Sequence, residues 1–117
     1  MIAQVRPAEL SAWLMGARRT GAPVLLDVRE PSELVVANVS ASPVAQSCTL
    51  LTIPMSQLQA RMQELDPAQP LACLCHHGGR SMQVANFLLA HGFSQVANVA
   101  GGIHAWSQEL DPAVPTY

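Results

Sequence analysis

The chain has 117 residues, half of them apolar and only 12% charged, with a formal net charge of −2. This excludes a disordered tail, whose signature is low hydrophobicity with high net charge, and offers no basic face for nucleic acid or anionic lipid. The length predicts one domain over residues 1–117, with its core at about 7–110. No apolar run approaches the about 20 residues of a bilayer span, and no charged-then-apolar leader opens the sequence. Three cysteines are an odd number for a disulfide framework, so the expectation is free thiols in a reducing cytoplasm. All six basic residues are arginine, the residue suited to fixed, forked hydrogen bonding.

Gly and Pro divide the chain into short units. Residues 7–18 read as a helix, with Pro7 in its first turn and Leu10, Trp13, Leu14 and Ala17 at helical spacing. Val24-Leu25-Leu26, running into Asp27 and Val28, is too short and too continuous for a surface strand and reads as one buried on both faces. A brief helix over 31–37 follows, with Glu33 in its first turn. Residues 38–47, small, polar and containing Pro43, read as a loop.

Residues 48–53 form a second strand candidate. Ser56 and Gln59 have capping-box spacing before an apolar face of Leu58, Met62 and Leu65. A third buried strand, 71–75, runs straight into His76-His77-Gly78-Gly79-Arg80-Ser81, and a helix is predicted over 81–90 with Gly92 behind it. A fourth strand, 95–99, leads through Gly101 and Gly102 to a last helix containing Trp106, and the tail reads as irregular. Alternating helices and apolar strands predict an α/β fold, a parallel central sheet with helices on both faces. Sites in such sheets form beyond the carboxyl ends of the strands, where Asp27 and Cys75 both stand.

From Pro67 to Gln108 the only formal charge is Arg80. An unpartnered buried cation is costly, so Arg80 requires a distant carboxylate or an anionic ligand. Cys75 ends a strand just before a helix. A thiol over a helix N-terminus feels roughly half a positive charge and several free N–H groups, which favour thiolate. His76, His77 and Arg80 can add positive potential. Gly78 and Gly79 let successive N–H groups turn inward as an anion-binding nest. The plainer alternative for Cys75 is a small buried hydrophobe, and that reading suits Cys73 and Cys48 better. The spacing C-x-C-H-H is poor for a structural zinc site, which takes ligand pairs from two separated segments, so no metal or other cofactor is expected. His91 and His104 read as surface or helix-end residues.

The run Cys75-His76-His77-Gly78-Gly79-Arg80-Ser81 resembles the active-site loop of single-domain rhodanese-like sulfurtransferases. Residues 25–31 (LLDVREP), Ile53-Pro54 and the GG-x-x-x-W run of residues 101–106 resemble other segments of that family, in the right order, over roughly residues 7–110. The resemblance implies a rhodanese-like fold and a persulfide mechanism. Cys75 would take the outer sulfur of a small anionic donor such as thiosulfate and pass it to a thiol or protein-cysteine acceptor. The backbone from His76 to Arg80 would be the cradle. Arg80 would bind the donor's sulfonate or brace the loop, and Ser81 would start the helix and hydrogen-bond the sulfur or the loop. Asp27 and Arg29 match the family's D-x-R and are expected to support the site, with Asp27 as a partner for Arg29 or the loop; the alternative is a pair of solvated strand-end charges.

Two rivals accompany that expectation. The phosphatases that share the fold use C-x5-R, whereas the spacing here is C-x4-R, a loop suited to one sulfur atom rather than a tetrahedral phosphate or arsenate. Non-enzymatic rhodanese-like regulatory modules commonly lack the loop cysteine, which this chain keeps. One departure from the family lies between Ser32 and Ile53, where the usual His-Ile and Gly-Ala are missing and the conformation of 38–48 is open.

Overall fold

A computed structural model describes residues 2–117. Five strands, β1 (Ala3–Val5), β2 (Val24–Asp27), β3 (Thr49–Thr52), β4 (Leu71–Leu74) and β5 (Val96–Val99), form one sheet in the order β1-β5-β4-β2-β3. Every pairing is parallel. The helices are α1 (Pro7–Ala17), α2 (Pro31–Val36), α3 (Pro43–Gln46), α4 (Leu58–Arg61), α5 (Gly79–Ala90) and α6 (Gly102–Glu109). None of these is long and apolar enough to cross a membrane.

Alternating side chains split the interior into two cores, one on each face of the sheet. Val24, Leu26, Leu71, Cys73 and Val96 join Val84, Ala85 and Leu88 of α5 on one side. Leu25, Ala72, Leu74, Ala97 and Val99 join Leu10 and Leu14 of α1 and Trp106 of α6 on the other. Strands β2, β4 and β5 are buried at every position, so their near-continuous apolar runs follow from being covered twice.

The strand order places the site. The chain leaving β2 turns toward β3, and the chain leaving β4 turns toward β5. These neighbours therefore part at their carboxyl ends and open a crevice at the topological switch point. Asp27 pairs with Leu74 in register, which sets Val28 and Cys75 side by side at the mouth.

The structure departs from the sequence reading in several places. A fifth strand, β1, lies at the sheet edge; its three residues are too few to carry a pattern, and its pairing with β5 holds it there. Residues 43–46 form a helical turn, α3, where the sequence predicts a loop, and Ala45 is its buried residue. The Trp106 indole N–H donates to Ser42 Oγ at 3.3 Å and pins this atypical segment to the core. The helix expected after Ser56 is broken into a short α4 flanked by 3₁₀ turns at 55–57 and 62–64. Its capping box does not form; the Ser56 hydroxyl instead donates to the Glu30 carboxylate at 3.2 Å. Helix α5 starts at Gly79 rather than Ser81.

Candidate active site

Cys75 stands one residue past β4 and is only 1% exposed. The Gly78 N–H donates to its Sγ at 3.1 Å, and Ser81 Oγ lies 3.2 Å from the same sulfur. Helix α5 begins at Gly79, so its free N–H groups face the same turn. The loop carbonyls point the other way: Cys75 O accepts from the Ile103 N–H at 2.9 Å and His76 O from the His104 N–H at 3.1 Å. The first turn of α6 thus holds two carbonyl oxygens away from the sulfur.

That arrangement explains two glycines. A Cβ on Gly102 would lie 2.3 Å from Cys75 O and 2.5 Å from His76 O, so only a residue without one lets α6 close on the loop. Gly78 sits at φ +105°, in the left-handed region that favours glycine. Gly79, expected to share the turn, is instead an ordinary helical residue. The nest requires one of the pair.

The two contacts to sulfur are themselves fixed by Asn98 of β5, which is buried. Its Nδ2 donates to Gly78 O at 3.3 Å and to Gln4 Oε1 at 3.0 Å. Its Oδ1 therefore faces Ser81, whose hydroxyl donates to it at 2.5 Å. Ser81 has a single proton, so in this arrangement it presents a lone pair to Cys75 Sγ. Donation to a charged sulfur requires the hydroxyl to rotate away from Asn98.

Of the two partners open to Arg80, the structure supplies the distant carboxylate. Arg80 Nη1 and Nη2 donate to Glu33 Oε1 and Oε2 at 2.5 and 2.7 Å, joining the first turn of α5 to α2. Glu33 also accepts from the Glu30 N–H at 3.1 Å and the Tyr117 hydroxyl at 2.8 Å. The Arg80 guanidinium is the main reason its carboxyl is held down at about 2.

Asp27 and Arg29 are not solvated charges. Both are fully buried and bound bidentately, with Nε to Oδ1 at 2.9 Å and Nη2 to Oδ2 at 2.7 Å. Arg29 Nη1 donates to the Tyr117 hydroxyl at 3.1 Å, so one phenol bridges both ion pairs. The Tyr117 ring stacks on His76 at 3.8 Å, and His76 meets His77 at 3.8 Å. Burial, and then His77, push the His76 imidazole toward its neutral form. The positive potential expected from His76 is therefore weakened, while the guanidinium of Arg80 stays charged and paired with Glu33.

The remaining candidates lie apart from this chemistry. Burial pushes the Cys73 thiol up and Cys48 likewise, as suits packing residues. His91 closes α5, with Nδ1 2.7 Å from Phe87 O. Among the described residues, no group of three or more His, Cys, Asp or Glu could hold a metal ion.

Comparison with known proteins agrees with this arrangement of strands and helices. The rhodanese-like domain family matches residues 9–109. This chain belongs to that family. It is 40% identical over 97 residues to the Arabidopsis thaliana rhodanese-like/PpiC domain-containing protein 12, chloroplastic, covering 80% of this chain but 30% of that protein. It is 30% identical over 91 residues to a sulfurtransferase of Allochromatium vinosum, covering 78% of each. The crystal structure of a rhodanese-related protein from Thermoplasma volcanium superposes with a TM-score of 0.73 at 29% identity, covering 98% of this chain and 99% of that one. Within the rhodanese-like frame, sequence reasoning missed Asn98, Glu33 and Tyr117 as site residues. The solitary charge of Arg80 called for a distant carboxylate or an anionic ligand, and nothing in local sequence said which carboxylate. Asn98 and Tyr117 carry no local signal at all.

Proposed function

We propose that this protein is a sulfurtransferase in which Cys75 carries a sulfane sulfur as a persulfide. The observation that carries the reading is the sulfur of Cys75 just past the carboxyl end of β4, with the Gly78 N–H at 3.1 Å and Ser81 Oγ at 3.2 Å. Cys75, as thiolate, attacks the outer sulfur of the donor. A Cys75 S–S bond forms as the donor's bond to that sulfur breaks, and the leaving group departs with the electron pair. A thiol or protein-cysteine acceptor then attacks the outer sulfur of the persulfide and restores Cys75. Backbone N–H groups favour the charged sulfur in both steps, being preorganised donors in a site shielded from water.

Asn98 keeps Gly78 and Ser81 in place for this, and Arg80, engaged by Glu33, braces α5 against α2. Since Cys75 is 1% exposed, donor entry requires the rim around the loop to part. A cytoplasmic setting with small-molecule and thiol partners, without nucleic acid or membrane, suits a chain of this charge with free thiols.

Mass spectrometry after incubation with a sulfane-sulfur donor tests the reading. One sulfur should be added, located at Cys75, and the Cys75→Ser protein should take up none. A variant that still turned over sulfur, or a wild-type protein that loaded none from any donor, would overturn it.

A further inference from the structure

We infer that Glu33 is a specificity-determining residue that turns this site away from small sulfur dianions and toward the persulfide of a thiol carrier. The inference rests on the sulfurtransferase reading above and names its donor.

Charge around the loop is the first reason. Arg80 is the only formal charge that α5 or the loop supplies, and both of its terminal nitrogens lie on Glu33 at 2.5 and 2.7 Å. Arg29 is likewise paired, with Asp27. Glu30 adds a further carboxylate, hydrogen-bonded to Ser56. Beside the loop two guanidiniums thus face three carboxylates, and Arg6, one residue past β1, is itself held by Glu109. Thiosulfate carries two charges and would enter a region with no free cation and a surplus negative charge. A thiol persulfide brings at most one charge at its reacting end, seated on the sulfur that the loop N–H groups receive, and any other charges of the carrier lie farther off.

Saturation of Glu33 is the second reason. Oε1 accepts from Arg80 and the Glu30 N–H, and Oε2 accepts from Arg80 and Tyr117. A carboxylate held by four donors does not release its arginine to an arriving anion. The third reason is the rim. Tyr117, His76 and His77 are stacked in contact, with His104 5.3 Å from His77. An aromatic rim suits an organic or peptidic carrier better than a hydrated inorganic dianion.

The transfer balances without an oxidant. In R–S–SH + Cys75–SH → R–SH + Cys75–S–SH, the Cys75 thiolate attacks the terminal sulfur, the carrier's S–S bond breaks, and the carrier sulfur leaves with the electron pair and is protonated. One S–S bond is exchanged for another.

The experiment compares rates of Cys75 persulfide formation with thiosulfate, with glutathione persulfide and with a persulfidated cysteine peptide, for wild type and Glu33→Gln. Wild type should load from at least one persulfide about a hundredfold faster than from thiosulfate, and the faster persulfide tells a small carrier from a peptidic one. Glu33→Gln, which frees a guanidinium to hydrogen-bond the sulfonate, should raise thiosulfate loading about tenfold or more. Persulfide loading should change much less. Adding Arg80→Met to Glu33→Gln should abolish the gain. Sulfate, shaped like thiosulfate, should leave persulfide loading of the wild-type protein unchanged, a reading that holds even if the variants fail to fold. Thiosulfate matching the persulfides in wild type, strong inhibition by sulfate, or a folded Glu33→Gln protein without the gain would overturn the inference. Failure of every donor to load Cys75 would instead defeat the sulfurtransferase reading itself.

Discussion

Two arginine–carboxylate pairs stand at the end of β2 and beside the active-site loop, and the water around them separates their tasks. Asp27 and Arg29 are 1% and 0% exposed, whereas Glu33 and Arg80 are 19% and 32% exposed. The first pair joins the end of β2 to the turn that follows it. The second ties two helices together across the active-site loop. Desolvating two ions is offset only when geometry is good and the remaining donors find partners, and Arg29 meets that condition with five side-chain contacts. A part-exposed pair bears a smaller desolvation cost and contributes less to stability. Its value here lies in where it holds Arg80.

The largest expected effect comes from breaking the buried pair. Arg29→Met leaves the Asp27 carboxylate in the core without its counter-charge and should cost about 3–5 kcal/mol of stability. Denaturant unfolding reads this directly. Replacing both residues, Asp27→Leu with Arg29→Met, should cost less than the single change, because no uncompensated charge remains. A double variant less stable than Arg29→Met would mean that the pair stabilises by more than mutual neutralisation.

The part-exposed pair should reveal itself through pH. The Glu33 carboxyl is held at about 2, below its ordinary value of 4.5. A group whose pKa is depressed on folding contributes stability above its unfolded pKa and loses it as pH falls through the folded value. The Glu33–Arg80 contribution should therefore be complete above about pH 4.5 and decay between 4.5 and 2. Solvent screening limits it to about 1–2 kcal/mol. Thermal unfolding of wild type and Glu33→Gln should differ by that amount at pH 6 and converge toward pH 2. Curves that stay parallel would show that the carboxylate's charge is not what holds α2 to α5.

The same contrast governs how much of the molecule sequence exposes. Strands β2, β4 and β5 are legible because sheets covered on both faces make apolar runs, and the cysteine loop is legible because strand, glycine, arginine and helix follow one another directly. What escapes is anything completed at long range. Arg80 meets Glu33 across 47 positions, and Tyr117 reaches Glu33 across 84. Asn98 reads as one polar residue in an apolar strand until Gln4, Gly78 and Ser81 converge on it. β1 exists only because β5 pairs with it. Local rules also mislead where a tertiary contact outbids them: the Ser56 hydroxyl turns to Glu30 rather than capping the helix expected behind it.

The smallest effect asks whether the two pairs are independent. The Tyr117 hydroxyl accepts from Arg29 Nη1 at 3.1 Å and donates to Glu33 Oε2 at 2.8 Å, making it the atom that touches both. Tyr117→Phe keeps the ring that stacks on His76 and removes only this bridge, so it should cost about 1 kcal/mol, the worth of an ordinary hydrogen bond. A double-mutant cycle with Arg80→Met separates two outcomes. If the phenol helps to hold Glu33 on Arg80, the two changes should be less costly together than their sum, with a coupling of about 0.5 kcal/mol or more. Strict additivity would make Tyr117 a neighbour of the buried pair alone. The aromatic rim could then move without loosening the carboxylate that keeps Arg80 from the donor.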